Sequence, residues 1–271
     1  ITVNGSCTIA NASGLFTKGT STVVLNASGN LANPLYDNRF QNLTQSNGAI
    51  TTLTGDVVTS GTLTTGDATS TIQDDNTGTL RTIDLDAGSL VIGGVTWNSR
   101  DSLQIQVNSG TVDLPGDNYD GVQIYVSASG VDMTGAVTCG KVYIANAGNG
   151  GTAVLNTGGY DLTASSVHLG SSSETDKGGT LNLTGSSALT ISGELVVNTD
   201  NGTQVNKLAV PASGTNAITV GGDWTVNSGG EFDPQNSTVT LNGTSGTQQI
   251  TTNGISFYNL TINAGGATKQ L

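Results

Sequence analysis

Short runs in which apolar and polar residues alternate recur along the whole chain. Lys141-Val-Tyr-Ile144, Ser166-Val-His-Leu169 and Glu194-Leu-Val-Val197 are three of them. Leu80-Arg-Thr-Ile-Asp-Leu85, Leu103-Gln-Ile-Gln-Val107 and Val122-Gln-Ile-Tyr-Val126 read the same way. A period of two belongs to a strand with one buried face. It turns Val142, Ile144, Val167, Leu169, Leu195 and Val197 inward and lines up Tyr143, His168 and Val196 as an outward column. No stretch keeps a helical period, and Gly, Asn or Ser-Gly interrupts the pattern every six to ten residues or so.

The runs also repeat. The stretch from Gly150 to Leu169 aligns with that from Gly178 to Val197 at an offset of about 28 residues, the length of one coil of a β-solenoid. A longer repeat joins the two ends. Ile218-Thr-Val220 and Trp224-Thr-Val226 match Ile1-Thr-Val3 and Cys7-Thr-Ile9. Gly230-Glu-Phe232 matches Gly14-Leu-Phe16, Ser237–Asn242 matches Ser21–Asn26, and Phe257–Thr261 matches Phe40–Thr44. The offset holds at about 216 to 218 residues. One solenoid over residues 1–271 is therefore expected, with 1–53 and 218–271 as duplicated modules. Leu271 falls at the position matched by Leu53, where the first copy runs on, so the sequence reads as a cut through a continuing structure.

The expected fold is all-β, a right-handed parallel β-helix, since crossover connections are overwhelmingly right-handed. Roughly 11 coils about 4.8 Å apart make a rod near 50 Å long. The alternative is a pair of tandem antiparallel β-sandwiches, which also use short, regularly spaced strands. The hairpin-type dipeptides Asn4-Gly5, Asn201-Gly202, Asn242-Gly243 and Asn253-Gly254 speak for that alternative. The scarcity of tryptophan (Trp97 and Trp224) speaks against it. Trp224 shares the parity of Val220 and Val226 and is assigned to the core.

Composition narrows the function classes. The 271 residues include 39 glycines and carry a formal charge of −12, with eight basic residues scattered singly. Nucleic acid and anionic membrane surfaces need clustered Lys and Arg, so neither is an expected partner. No apolar run approaches the roughly 18 residues of a membrane helix. The chain has no signal peptide, and Ile1 is not an initiator Met, so a processed or excised piece is expected. Cys7 and Cys139 make no disulfide framework. Cys7 has the inward parity of Val3 and Ile9 and is expected as a buried thiol. The Asn-x-Ser/Thr sequons, Asn4, Asn42 and Asn259 among them, are as numerous as chance gives in so Asn- and Thr-rich a chain.

Candidate chemistry is thin. Glycan-active enzymes built on parallel β-helices need outward carboxylate pairs, often with a cation and a basic residue. Asp84 and Asp86 share the outward parity of one strand, Asp74 and Asp75 precede a turn, and Asp113, Asp117 and Asp120 surround another. Asp117 and Asp120 are the candidate calcium ligands. None of these acids has a Lys or Arg patterned beside it, and Asp is itself a turn former. His168 is the only histidine, which leaves little for zinc sites or triads. Tyr125 and Tyr143 are expected outward and form a candidate stacking stripe for glycans. No catalytic, cofactor-binding or metal-binding residue is assigned.

Gly222-Asp-Trp-Thr-Val226, Ser237-Thr-Val-Thr-Leu-Asn-Gly243 and Ser256-Phe-Tyr-Asn-Leu-Thr-Ile262 resemble the repeats of secreted bacterial surface proteins with adhesin-like β-helices. The resemblance implies a large extracellular or cell-surface assembly and carries over no functional residue. The expected function is structural, a subunit or segment of a head-to-tail surface filament. The alternative is an adhesin stalk or passenger binding glycans or cell surfaces, and a polysaccharide-active enzyme stands third. Ile1–Val3 and Leu260–Ile262 are strands without a cap in the sequence. End-to-end self-association is therefore expected, and proline at Thr2 or Thr261 should weaken it.

Overall fold

The computed structural model describes residues 1–8, 20, 22–32, 39–86, 89–99, 102–108, 113–146, 151–171, 177–199, 204–263 and 265–271. The expected positions Ile9, Gly14, Phe16 and Gly150 lie outside them. The described residues hold strands and turns and no helix, stacked as a β-solenoid of about 10 turns. Among the described residues every strand pair is parallel, and the one antiparallel contact is an isolated bridge between Asp67 and Gly94. Tandem antiparallel sandwiches are excluded, because they would need hairpin-paired strands.

Each coil contributes strands to three faces in a fixed order. Face one starts with β1 (Thr2–Val3), β3 (Thr22–Leu25), β5 (Asn42–Gln45), β8 (Thr62–Asp67) and β11 (Ser89–Gly93). Beyond a bridge between Leu114 and Met133 it continues through β16 (Val131–Asp132), β18 (Gly151–Asn156), β20 (Lys177–Asn182), β23 (Lys207–Ala209) and β26 (Glu231–Asp233). Face two starts with β2 (Cys7–Thr8), β4 (Gly29–Ala32), β6 (Ile50–Leu53), β9 (Thr71–Asp74) and β12 (Thr96–Asn98). Next on it come β14 (Asp117–Tyr119), the first halves of β17 (Val137–Ile144) and β19 (Leu162–Leu169), and β21 (Leu189–Ile191). It ends with β24 (Ala217–Val220), β27 (Thr238–Leu241) and β29 (Asn259–Ile262). Face three starts with β7 (Val57–Thr59), β10 (Arg81–Leu85), β13 (Leu103–Val107) and β15 (Gln123–Val126). The second halves of β17 and β19 follow, then β22 (Leu195–Val197), β25 (Trp224–Val226), β28 (Thr247–Thr251) and β30 (Thr268–Gln270).

The alternation read from the sequence sets what is buried. Val142, Ile144, Val167, Leu169, Leu195 and Val197 are all fully buried, and so is Trp224. Coil length varies more than one offset suggests. Ile124 sits beside Val142, eighteen residues on, whereas Leu195 sits beside Trp224, twenty-nine residues on. The 28-residue offset holds for Val167 beside Leu195, but β18 and β20 pair at 26, with Leu155 beside Leu181. There the slip is two residues and each side chain keeps its face, but on face two Leu162 pairs with Leu189 at 27, so the offset of 28 misassigns the inward positions of β21 by one residue.

Glycine serves the corner between faces two and three. Gly193 and Gly222 follow one another there in successive coils, and the Gly222 amide donates to the Gly193 carbonyl at 2.7 Å. A Cβ on Gly222 would lie 2.5 Å from the Gly193 carbonyl carbon, and one on Gly193 would lie 2.6 Å from the Ser165 oxygen. Coils can stack this closely at a bend only when no side chain intervenes.

Candidate functional site

The outward side of face three carries a column of chemically varied side chains. In-register pairing stacks Asp84, Gln106, Tyr125, Tyr143, His168 and Val196 in successive layers. Because the pleat turns alternate residues outward, these six follow from the same pattern that buries their neighbours. The Tyr125 and Tyr143 rings lie 5.1 Å apart with planes inclined at 35°, and the Lys141 ammonium stands 5.9 Å from the Tyr143 ring centre. Both rings are half-buried rather than free, each covered in part by the other.

One layer further, His168 Nε2 meets Glu194 Oε1 at 2.8 Å. Burial holds the imidazole below its ordinary pKa, and Lys141 adds to the effect, against the raising influence of Glu194. His168 is therefore neutral at pH 7 and donates Nε2–H to the Glu194 carboxylate. Together these residues make a shallow aromatic and cationic strip that can stack on the apolar face of a sugar ring.

Most of the acidic candidates are engaged by other groups of the protein. Asp84 points outward but is 5% exposed; it accepts a hydrogen bond from Asn108 Nδ2 at 2.7 Å, and burial raises its pKa. Asp86 pairs with Arg39. Asp74 accepts the Asn76 amide at 2.7 Å across a turn where Asn76 adopts positive φ. Asp75 takes two hydrogen bonds from Arg81, at 2.5 and 3.2 Å, and that guanidinium holds its pKa down at about 2. The expectation that no basic residue stands beside these acids is thus overturned. Arg39 reaches Asp86 across coils and Arg81 folds back over the turn, neither contact being visible as a local pattern.

Asp117 accepts the Trp97 indole N–H at 3.0 Å, while Asp113 and Asp120 are exposed. No three His, Cys, Asp or Glu side chains converge as a metal site would require among the described residues. Cys139 is buried and its thiol pKa is pushed up to about 12, while Cys7 is only half-buried. The expected burial of Cys7 is incomplete because β2 is paired on one side only, to β4. The two cysteines are free, with β4, β6, β9, β12 and β14 between their strands on face two.

A second feature lies at the strand that the sequence shows without a cap. On β29 the apolar residues Leu260 and Ile262 are 40% and 50% exposed, with Tyr258 exposed beside them. On β5, the strand that holds the matching position in the other module, Leu43 is 2% exposed because β8 lies over it, with Leu63 as its partner. The relative register agrees in both places: Thr2, Val24 and Thr44 stack as Thr219, Thr240 and Thr261 do.

Comparison of the chain with protein-family models, with curated proteins and with solved structures gives no match.

Proposed function

We propose that this chain is a structural element of an extracellular or cell-surface filament in which solenoids join head to tail. The observation that carries the reading is the open layer at β29. Interior coils bury nearly all of their inward Leu and Ile side chains, whereas Leu260 and Ile262 on β29 are 40% and 50% exposed. Burying two such side chains is worth about 1.5 to 3 kcal/mol each, and the unpaired strand edge adds hydrogen bonds. A contact of this kind joins unlike surfaces and does not close on itself, so it propagates into a fibre. The likeness of residues 1–53 and 218–271 supports the reading, since both modules are then built as interior coils. The engagement of Asp75, Asp84, Asp86 and Asp117 in protein contacts supports a structural rather than a catalytic role.

Static light scattering over a concentration series tests this. Mass should rise with concentration, and electron micrographs of the same sample should show thin rods longer than one subunit. A monomer at every concentration, with β29 ordered, would refute it. An adhesin is the second reading, favoured by the Tyr125–Tyr143 pair beside Lys141. A glycan array tests it, with Tyr143→Ala expected to abolish any binding.

A further inference from the structure

In the second to fourth coils the lumen is lined by aliphatic side chains from all three faces. Leu43 and Leu63 stand beside one another on face one, Val57 and Ile83 on face three, and Leu53 and Ile72 close face two. Each is between 1% and 4% exposed. They surround a cavity that leaves about 20 Å³ for the centre of a water-sized sphere. By that measure one water needs roughly 10 to 15 Å³, so the space is of single-guest size. Residues of β3 and β4 border it on one side and β10 on the other, which places it within the stack.

The cavity follows from the sizes of the inward residues. Thr51, Ile72 and Trp97 stand in one inward column of face two, so the side chain grows from layer to layer. Trp97 meets the Tyr119 ring at 5.4 Å and fills the lumen there. No aromatic ring is among the residues described around the cavity. Packed interiors hold few voids of this size, and the side chains around one forgo contact partners.

Gln45 and Thr51 are the polar side chains of the wall, and both are occupied. Gln45 Nε2 donates to the carbonyls of Ala49 at 3.0 Å and Thr71 at 2.9 Å, and to Thr51 Oγ1 at 3.0 Å. Its Oε1 accepts the Gly66 amide at 3.1 Å. These partners draw the side-chain amide into the corner between faces one and two. The buried side-chain atoms without a partner among the described residues belong to Asn216, Ser237 and Asn242, in later coils. A water in the cavity would give up its hydrogen bonds and find none, and apolar spaces of this kind stay dry. An apolar guest loses no hydrogen bond on entry and restores the dispersion contacts that the void forgoes.

From this we infer that the lumen between β3 and β10 is a binding site for one small apolar guest, of the size of a dissolved gas molecule. The inference stands apart from the filament reading. Xenon is the test ligand, being apolar, spherical and polarisable. In methyl NMR spectra of the folded protein under rising xenon pressure, Leu43, Leu53, Val57 and Leu63 should show shifts that saturate. Leu155 and Ile191, fully buried in later coils, should not move. Val57→Ile puts one more methyl into the space and should weaken the saturating response several-fold, with the thermal midpoint unchanged or raised. The parent spectra decide the question even where that variant fails to fold. Equal shifts at every core methyl, or none at the four named, would overturn the site. A Val57→Ile protein that responds as the parent does would place xenon elsewhere and overturn it too. A long-lived water with nuclear Overhauser contacts to the Leu43 and Leu63 methyls would overturn the dryness of the cavity, and with it the class of ligand.

Discussion

Asn206 closes a bend that the solenoid cannot close with backbone alone. Its side chain is 2% exposed and makes three hydrogen bonds. Oδ1 accepts the Gly179 amide at 2.8 Å, and Nδ2 donates to the carbonyls of Asn198 at 3.3 Å and Thr199 at 3.1 Å. Gly170 gives it room, since a Cβ there would fall 2.0 Å from Asn206 Oδ1. Asn206→Ala removes all three bonds and strands a buried donor and two carbonyls. At about 1 kcal/mol net per bond, and more where a buried group stays dry, the loss should be about 3 kcal/mol. Water entering the vacated space would reduce it toward the lower end. Urea denaturation should show the drop, and hydrogen exchange followed by mass spectrometry should show the peptide holding the Gly179 amide losing protection. Val205→Ala, next door and exposed, is the control and should change stability by under about 0.5 kcal/mol. Because solenoids can unfold in parts, the exchange measurement decides whether the effect is local. An Asn206→Ala protein within about 0.5 kcal/mol of the parent, with that peptide as protected as before, would refute the bracing role.

His168 should titrate below the ordinary imidazole value of about 6.5 when followed by NMR. Lys141→Met should move its midpoint up, since Lys141 opposes the imidazolium, and Glu194→Gln should move it down. With the folded pKa depressed, its share of stability is present above about pH 6.5 and is lost as pH falls below that. A midpoint above 6.5, or one indifferent to Lys141, would contradict the packing of this strip. At pH 8, a thiol reagent should modify Cys7 in the folded protein and reach Cys139 only after denaturation. Equal reactivity of the two would mean that the face-two core is open at β17.

The parity of Val142, Ile144, Val167 and Leu169 was legible because a strand's period of two depends only on residues next to one another. Layer-to-layer register was less so. Loops between faces differ in length, and a similarity of two Gly-Gly-Thr stretches pointed to 28 where Leu155 and Leu181 pair at 26. Contacts made across coils left no local trace: nothing near Asp86 in sequence names Arg39, and nothing marks Asp84 as covered. Asn206 was hidden among many Asn, Ser and Gly residues, since a bracing asparagine and a surface asparagine are the same letter. Leu260 and Ile262 have the inward parity of any core strand. The missing cap after them was legible in the sequence, while the extent of their exposure follows from the stacking of the last layers.

Cryo-electron microscopy of the assembled protein tests most directly whether these solenoids join end to end as interior coils do. The account predicts filaments in which strands about 4.8 Å apart run through the joint without a break, with an axial repeat of roughly 50 to 60 Å per subunit. Single particles with β29 ordered and bare, or filaments held together by lateral faces with Leu260 and Ile262 in solvent, would contradict it.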